Sequence, residues 1–170
     1  MNVYIAYSSN SGNTMLVARG IAAALEARGH AAMVKNVSHA DIAELAKSDA
    51  VLLGCPSWLT DGQEGQPTAQ FNAFAAKLRK GPRFDAKPFG VFGCGRHEYT
   101  KFTGAVEMLE RLAEEVGGVL VIPSLRIDGF PHHQSDTIAA WANELADYLG
   151  EQKAVVDDSA THRIPIKRAR

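Results

Sequence analysis

A short polar segment near the start of the chain has the residue types that bind an anion. Residues 8–14 read SSNSGNT and separate an apolar run from a segment with helical periodicity. Their hydroxyl and backbone N–H groups would open a helix, whose N-terminus favours negative charge, and Gly12 permits close approach to a phosphate. The segment has no lysine and matches neither GxxxxGK[ST] nor GxGxxG, so it favours a monophosphate held by neutral donors. A polar helix cap is the alternative, because Ser and Asn are common N-cap residues.

Two further loops each carry an aromatic residue in a polar setting. Trp58 lies within CPSWLTDG (residues 55–62), after an apolar strand pattern, and Tyr99 lies within CGRHEY (residues 94–99), after another. Aromatic residues at such places are poorly located for a core, and two of them on neighbouring loops could sandwich a flat ring. A surface Trp folded back on the protein is the alternative. Together the three loops predict a site for a phosphorylated planar heterocycle.

Strand and helix patterns alternate along the chain, which is typical of βαβ units and a parallel sheet. The predicted strands cover residues 3–7, 31–37, 50–54, 88–93 and 119–123. The predicted helices cover residues 14–28, 41–47, 67–80, 102–116 and 135–149. Because the strands are apolar throughout, we expect an α/β fold, an open doubly wound five-stranded parallel sheet with helices on both faces. Ligands of such sheets bind beyond the carboxyl ends of the strands, where all three loops would lie.

The composition is that of an ordinary globular protein of 170 residues, with 18 Lys and Arg, 19 Asp and Glu, and a formal net charge of −1. This charge disfavours nucleic acid or a membrane surface as a partner. The charge is −3 over residues 1–150 (13 basic, 16 acidic) and +2 over residues 151–170 (5 basic, 3 acidic). We therefore predict one domain over residues 1–150 and a basic, disordered tail over residues 151–170. A docking arm for an acidic partner is the alternative for the tail.

The two cysteines, Cys55 and Cys94, are too few for a disulfide framework and lack neighbours at zinc-binding spacing, so no metal site is predicted. Buried packing is their usual role, and redox activity is the alternative. The first residues, MNVYIAY, lack the basic and long apolar regions of a signal peptide. No run of about 18 apolar residues is present. We expect a cytoplasmic protein.

On these motifs the sequence resembles the flavodoxin family. SSNSGNT is similar to the flavodoxin phosphate loop, GCPSW to its Trp-bearing flavin loop, and GCGRHEYTKFTGAV to its Tyr-bearing flavin loop. LRIDG before the last helix fits the short-chain form, and the resemblance spans residues 2–149. It implies the strand order 2-1-3-4-5 and a non-covalently bound FMN that cycles through oxidised, semiquinone and hydroquinone states in low-potential electron transfer. It also implies a monomeric carrier between a reductase donor and an electron acceptor, with no catalytic residue, because the cofactor carries the electrons.

The resemblance assigns residues to each part of an FMN site. The phosphate would be held by Ser9, Asn10, Ser11, Gly12, Asn13 and Thr14. The inner flavin face would be flanked by Ser57, Trp58, Leu59 and Thr60. The pyrimidine edge would meet backbone groups of Cys94, Gly95 and Arg96, and the outer face would stack on Tyr99, with Phe102 and Thr103 behind.

Two positions depart from the flavodoxin pattern. Leu59 follows the Trp where the family usually has Gly, and that Gly lets a peptide turn its carbonyl toward the reduced flavin N5–H. We therefore expect a less stabilised neutral semiquinone. Arg96 stands where the family commonly has Asp, and a cation there predicts a raised second reduction potential unless the side chain points into solvent. His97 beside it would make the potential pH-sensitive, although a solvated loop His is the commoner case.

An enzyme of the same fold is the main alternative to an electron carrier. A small FMN-dependent quinone or flavin reductase needs a nicotinamide or quinone pocket over the flavin, often at a dimer interface, and no obvious insertion supplies one. A non-redox phospho-receiver domain is disfavoured, since Ser8 and Cys55 occupy the places of its acidic residues. The net charge of −1 is unusual for flavodoxins, which are typically strongly acidic, and predicts atypical partners or potentials.

Overall fold

The computed structural model describes the backbone of residues 1–161 and the side chains of residues 1–155. Its strands are β1 Asn2–Tyr7, β2 Ala31–Asn36, β3 Ala50–Gly54, β4 Trp58–Thr60, β5 Gln63–Gln66, β6 Pro88–Gly95, β7 Val119–Leu120 and β8 Leu125–Asp128. Its α-helices are α1 Asn13–Ala27, α2 Ile42–Lys47, α3 Ala69–Lys80, α4 Gly104–Glu115 and α5 Ser135–Thr161. Short 3₁₀ turns cover Val37–His39 and Pro131–His133. Within the described residues, no helix combines the length and the apolar character that crossing a membrane requires.

The main sheet is parallel and has the predicted strand order. Its strands run β2-β1-β3-β6, and both β7 and β8 pair with the far side of β6. Strand β1 lies between β2 and β3, with Ile5 opposite Val34 of β2 and Leu52 of β3. Strands β1, β3 and β6 are buried over almost their whole length, as strands covered by helices on both faces must be. The predicted doubly wound α/β fold is therefore confirmed.

The last position of the sheet is divided between two short strands. Strand β7 pairs with the start of β6, and β8 pairs with its end. Pro123 lies between them and has no N–H to donate to a ladder. Its carbonyl oxygen instead accepts the Trp141 Nε1–H at 2.7 Å. The prediction of one continuous strand over residues 119–123 is wrong for this reason, although the place of that strand in the order is right.

Two apolar clusters lie on opposite faces of the sheet. On one face α1 and α5 pack over the strands, with Val17, Ile21 and Leu145 fully buried. On the other face α3 and α4 cover them, with Phe74 and Leu109 at the centre. Full burial of a large apolar side chain contributes roughly 1.5–3 kcal/mol. The sheet edge that carries the three predicted loops therefore rests on a well-packed base.

A small two-stranded sheet, which was not predicted, follows β3. Strands β4 and β5 are antiparallel, with Trp58 opposite Gln66 and an irregularity within β4. The turn between them contains Asp61 and Gly62, whose φ angles of 51° and 74° are both positive. Positive φ at both central positions is characteristic of a type I′ turn, for which Asp-Gly is a preferred sequence. The segment predicted as a loop around Trp58 is therefore an ordered hairpin.

The last helix is longer than predicted. Leu149 is fully buried and is the last buried residue among the described side chains of the helix, but the helix continues to Thr161. Gly150 does not end it, because Glu, Gln, Lys and Ala follow, and all are good helix formers. Residues 151–155 are exposed, so this extension makes little contact with the core. The helix end predicted at Leu149 is wrong, and residues 162–170 of the predicted tail lie outside the described residues.

Candidate functional site

A cavity of about 590 Å³ lies at the carboxyl edge of the sheet. Its lining comes from four segments, within residues 11–13, 56–59, 94–99 and 128–130. These segments lie at or just after the carboxyl ends of β1, β3, β6 and β8, which are neighbours in the parallel sheet and end at the same edge. The three loops singled out in the sequence therefore border one cavity, together with the end of β8.

The loop between β1 and α1 leaves the first turn of α1 open to an anion. Gly12 is the N-cap residue, with φ 89°, and no side chain caps the helix. The Gly12 N–H donates to Ser9 Oγ at 3.1 Å, which closes a turn within the loop. Thr14 is fully buried, and within the described part of the chain its side chain interacts weakly with the Cys94 thiol, whose pKa burial raises and this interaction partly lowers, but its Oγ1 forms no hydrogen bond of normal geometry. An uncapped N-terminus beside a buried hydroxyl without a normal hydrogen bond fits a bound anion.

A buried polar network anchors this loop to the neighbouring strand and helix. The Ser8 N–H donates to the Gly54 carbonyl at 2.9 Å, and the Ser8 hydroxyl lies 3.2 Å from Cys55 Sγ. Thr68, the N-cap of α3, donates its hydroxyl to Ser8 Oγ at 2.8 Å and accepts the Phe71 N–H at 3.1 Å. The network fixes the point where the chain leaves β1, and therefore the start of α1.

The two cysteines lie at the ends of adjacent strands but on opposite faces of the sheet. Cys55 belongs to the cluster under α3 and α4, and Cys94 to the cluster under α1 and α5. Burial raises the pKa of each thiol to about 11, and a hydrogen bond with Ser8 offsets only part of this effect at Cys55. Neutral buried thiols are poor nucleophiles, so the structure favours the packing role for both residues.

Two aromatic side chains line the cavity from different segments. Trp58 begins β4, and Tyr99 lies in the turn after β6, where its N–H donates to the Arg96 carbonyl at 3.1 Å. Trp58 is 39% exposed and Tyr99 is 42% exposed. Phe130, after β8, also lines the cavity and is 64% exposed. Exposed rings grouped at one cavity mark a binding surface, and rings on separate walls can cover the two faces of a flat ligand.

The loop after β6 carries an ion pair and a histidine–carboxylate contact at the cavity. Arg96 Nη2 lies 2.9 Å from Glu98 Oε1. His97 contacts the Asp128 carboxylate through its backbone N–H at 3.1 Å and through its ring Nδ1 at 2.7 Å. The hydrogen bond from the His97 N–H is the main cause that lowers the pKa of Asp128. Because the four side chains are largely exposed, water screens both pairs.

The predicted site residues divide into those that line the cavity and those that do not. The lining includes Ser11, Asn13, Ser57, Trp58, Leu59, Cys94, Gly95, Arg96 and Tyr99. It does not include Ser9, Asn10, Gly12, Thr14, Thr60, Phe102 or Thr103. Lining residues that were not predicted are Pro56, His97, Glu98, Asp128, Gly129 and Phe130. Asp128 and Gly129 belong to LRIDG, a motif visible in the sequence to which no site role was assigned.

Two predicted residues take part in the turn that leads into α4. Ser57 Oγ accepts the Ala105 N–H at 3.0 Å, so a side chain from the loop after β3 caps α4. Thr103, the N-cap of α4, has a left-handed backbone with φ 50°, and its Oγ1 has no partner among the described residues. This conformation costs a residue with a Cβ roughly 1–2 kcal/mol. Contacts around the turn must therefore hold it in place.

Comparison with known proteins identifies relatives over most of the chain. A family model described as Flavodoxin matches residues 5–141. A flavodoxin of Maridesulfovibrio salexigens is 36% identical over 146 residues, which cover 85% of this chain and 97% of that protein. A flavodoxin of Nitratidesulfovibrio vulgaris is 32% identical over 149 residues, covering 87% of this chain and 99% of that protein. The crystal structure of oxidised flavodoxin 2 from Bacillus cereus superposes with a TM-score of 0.79 at 29% identity, covering 87% of this chain and 99% of that chain.

The matched region contains the site as well as the sheet. Residues 5–141 include all four segments that line the cavity. Both flavodoxin relatives are matched over almost their whole length, so the similarity is not confined to a shared module. Proteins of this family bind FMN and use it in electron transfer. The chain therefore belongs to the flavodoxin family, and its cofactor is FMN.

Proposed function

We propose that this chain carries single electrons between redox proteins on an FMN bound in the cavity at the sheet edge. As a member of the flavodoxin family it takes part in FMN-based electron transfer with redox partner proteins. The observation that carries the proposed site is that one cavity joins the uncapped N-terminus of α1 to two partly exposed aromatic side chains. A phosphate and a flat ring system are the two ends of FMN.

The loop before α1 fits the phosphate end. Thr14 supplies a buried hydroxyl that forms no hydrogen bond of normal geometry among the described residues, and no side chain caps the N–H groups of the first turn. Ser9, Ser11 and Asn13 add hydroxyl and amide donors, and the loop contains no lysine. Neutral donors together with a helix dipole suit a monophosphate. We therefore propose residues 9–14 as the phosphate site.

The aromatic walls fit the ring end. Stacking on an aromatic side chain is worth roughly 1–3 kcal/mol per face, and it keeps water off the covered face. FMN supplies the one-electron chemistry when bound, whereas the protein supplies orientation and electrostatics. We propose that the ring lies between Trp58 and Tyr99. Residues 57–60 would flank its inner face, residues 94–96 would meet its pyrimidine edge, and residues 102–103 would lie behind Tyr99.

Leu59 would weaken the stabilisation of the neutral semiquinone. It lies in β4, and its φ is not positive. The pairing of β4 with β5 and the turn at Asp61 and Gly62 restrain the backbone on either side of it. A peptide rotation that requires φ > 0 at a residue with a Cβ costs about 1–2 kcal/mol. For one electron this cost corresponds to about 40–90 mV.

Arg96 would raise the second reduction potential by less than an isolated cation would. Its guanidinium lies 2.9 Å from the Glu98 carboxylate, and its side chain is 62% exposed. A cation about 6 Å from the ring at an effective dielectric constant of about 20 would contribute about 3 kcal/mol. The nearby carboxylate opposes this effect, and solvent screens what is left.

Visible spectroscopy of the purified chain with FMN tests the proposed function. We expect saturable uptake of FMN, a shifted flavin spectrum and quenched flavin fluorescence. Stepwise reduction should give two one-electron steps with little neutral semiquinone at the midpoint. A chain that takes up no FMN would contradict the proposal, whereas near-complete blue semiquinone at the midpoint would contradict only the role given to Leu59.

A small FMN-dependent quinone or flavin reductase is the alternative function, and one assay separates it from a carrier. Such an enzyme oxidises NADH or NADPH by itself, whereas a carrier does so only when a reductase is added. Turnover by the FMN-loaded chain alone would favour the enzyme. The cytoplasmic location and the monomeric state stay predictions, and sedimentation of the FMN-loaded chain tests the second.

A further inference from the structure

The β4–β5 hairpin and the residue just before it are joined by two hydrogen bonds to the segment between β6 and α4 and to the first turn of α4. Ser57 Oγ, just before β4, accepts the Ala105 N–H at 3.0 Å. Glu64 Oε2, in β5, accepts the Lys101 N–H at 3.2 Å. The hairpin carries one aromatic wall of the cavity, and the connecting segment carries the other. Two side chains near Trp58 along the chain, those of Ser57 and Glu64, therefore bind backbone N–H groups of the segment that follows Tyr99.

A close backbone contact accompanies these hydrogen bonds. A Cβ added to Gly65 of β5 would lie 3.0 Å from the Gly104 Cα, and a Cβ added to Gly104 would lie 2.9 Å from the Gly65 Cα. Both distances are shorter than a well-packed carbon–carbon contact. The seam beneath the two walls contains only about 10 Å³ of free space, which is room for one water at most. An alanine at either position would push the hairpin away from α4.

We propose that the Gly65–Gly104 contact and the two hydrogen bonds form a clasp that sets the gap between Trp58 and Tyr99. The inference rests on the proposed function, because the gap matters only when a flavin ring occupies it. A gap of about 0.5–1 Å on one face forfeits roughly a quarter to a half of the van der Waals attraction there. Gly65 and Gly104 are thus positioning residues, since they act on the ring through the two aromatic side chains.

The clasp does not include the proposed phosphate site. Residues 9–14 are positioned by the Ser8 and Thr68 network and by the start of α1. Loss of the clasp should therefore weaken binding of the ring and leave the contribution of the phosphate unchanged. A general loss of folding would change both.

Alanine variants of the full chain test the clasp. Gly65→Ala and Gly104→Ala insert a Cβ into the contact. Gly62→Ala is the matched control, because Gly62 lies in the same hairpin and has the same φ of +74° as Gly65, but a Cβ there meets nothing within 4 Å. Dissociation constants are measured for FMN and for riboflavin, which lacks the phosphate. We expect both constants to rise at least about tenfold in the two clasp variants relative to the control.

The ratio of the riboflavin constant to the FMN constant should stay the same in all variants. Glu64→Ala serves as a second test, because it removes the hydrogen bond to the Lys101 N–H without adding an atom, and Glu64 does not line the cavity. We expect a smaller rise of both dissociation constants, with less quenching of flavin fluorescence. If the clasp variants do not fold, the result for Glu64→Ala decides, and an unchanged riboflavin constant would overturn the clasp.

Other outcomes separate this inference from the proposed function. Clasp variants that bind riboflavin as tightly as Gly62→Ala would overturn the clasp and leave the proposed function intact. A rise in the dissociation constant for FMN but not for riboflavin would also overturn the clasp, since the effect would then lie at the phosphate. A wild-type chain that binds neither ligand would overturn the proposed function, and the clasp with it.

Discussion

Leu59 gives the most direct test of how a single residue controls the flavin. Replacing it by Gly should widen the separation of the two one-electron potentials by about 40–90 mV. The physical reason is that Gly reaches φ > 0 without the cost of about 1–2 kcal/mol that a Cβ imposes. The measurement is a redox titration of the FMN-loaded variant, followed at the absorbance of the neutral semiquinone.

Thr60→Gly is the matched control for Leu59→Gly. Thr60 is the next residue of β4 and is also exposed, so the control loosens the same strand without changing the residue after Trp58. We expect a smaller change of the potentials from it. Equal shifts in both variants would mean that general loosening of the hairpin is responsible, and that φ at Leu59 is not.

The Cys55 thiol should make the folded state less stable at alkaline pH. Burial raises its pKa to about 11, whereas an unfolded cysteine titrates near about 8.5. The folded state holds the proton more tightly, so the stability from the neutral thiol is complete below about pH 8.5 and is lost as the pH rises toward about 11. This thiol should account for a loss on the order of 2 kcal/mol in the free energy of unfolding between about pH 8 and about pH 10.5, as measured by urea titration. Cys94, whose pKa burial also raises to about 11, should add a similar loss over the same range.

Cys55→Ala shows how much of this loss belongs to Cys55. The comparison uses the change of unfolding free energy with pH, because the substitution itself alters stability by leaving space in the core. We expect the variant to lose less stability than the wild type over the same pH range. The same loss in both proteins would assign the effect to other groups.

Among the elements, α2 depends on a lysine from outside the helix. Lys87, just before β6, donates from Nζ to the Ala46 carbonyl at 2.8 Å and to the Ser48 carbonyl. Both carbonyls lie at the C-terminal end of α2, so the lysine satisfies unpaired acceptors and places a positive charge at the negative end of the helix dipole. Lys87→Met should lower the free energy of unfolding by about 1–3 kcal/mol, measured by urea titration.

Lys47→Met is the control for this lysine. Lys47 is the last residue of the same helix, but its side chain is exposed, so the same chemical change there should alter stability by less than about 0.5 kcal/mol. Equal losses in the two variants would show that the charge near the helix end matters and that the hydrogen bonds of Lys87 do not.

The main sheet could be predicted from the sequence because its strands have no polar face. Runs such as AVLLG (Ala50–Gly54), alternating with helical periodicity, leave few choices besides a doubly wound sheet. The division of the last strand into β7 and β8 cannot be predicted from the sequence. Pro123 is compatible both with the end of a single strand and with a break between two strands. The β4–β5 hairpin has short, largely exposed strands without an apolar alternation, so only Asp61-Gly62 signals it.

The site residues could be predicted where their loop has a distinctive composition, but not where tertiary contacts decide which residues reach the cavity. SSNSGNT and the two aromatic residues stand out locally, and the topology brings their loops together. Ser57 has the character of a ligand-facing polar residue, yet its hydroxyl caps α4. Asp128 and Phe130 reach the cavity only because β8 pairs with β6, and no spacing within one loop reveals that pairing.

For the whole molecule, the small net charge should make encounters with basic redox proteins insensitive to salt. The formal charge is −1, and at the cavity the Arg96 guanidinium is paired with the Glu98 carboxylate. Electrostatic steering needs a field of one sign and fades as ionic strength rises. Cytochrome c serves as a basic probe. The second-order rate constant for its reaction with the reduced chain, measured by stopped flow, should change less than about tenfold between low and high salt. A steep decline would indicate a strongly acidic docking face.

Residues 151–170 should be dispensable for the fold and for FMN binding. Among the side chains that the structure describes, the lining of the cavity ends at Phe130, the last buried apolar residue is Leu149, and residues 151–155 are exposed. A chain that ends at Gly150 should keep the FMN affinity of the full chain, and its free energy of unfolding should lie within about 0.5 kcal/mol of the full chain's value.

Removal of residues 151–170 takes +2 from a total of −1, so the shorter chain has a charge of −3. Its reaction with cytochrome c should therefore become faster at low salt and more sensitive to salt. A shorter chain that lost FMN binding would place part of residues 151–170 in the domain, and an unchanged salt response would mean that the tail's charge does not reach the docking face.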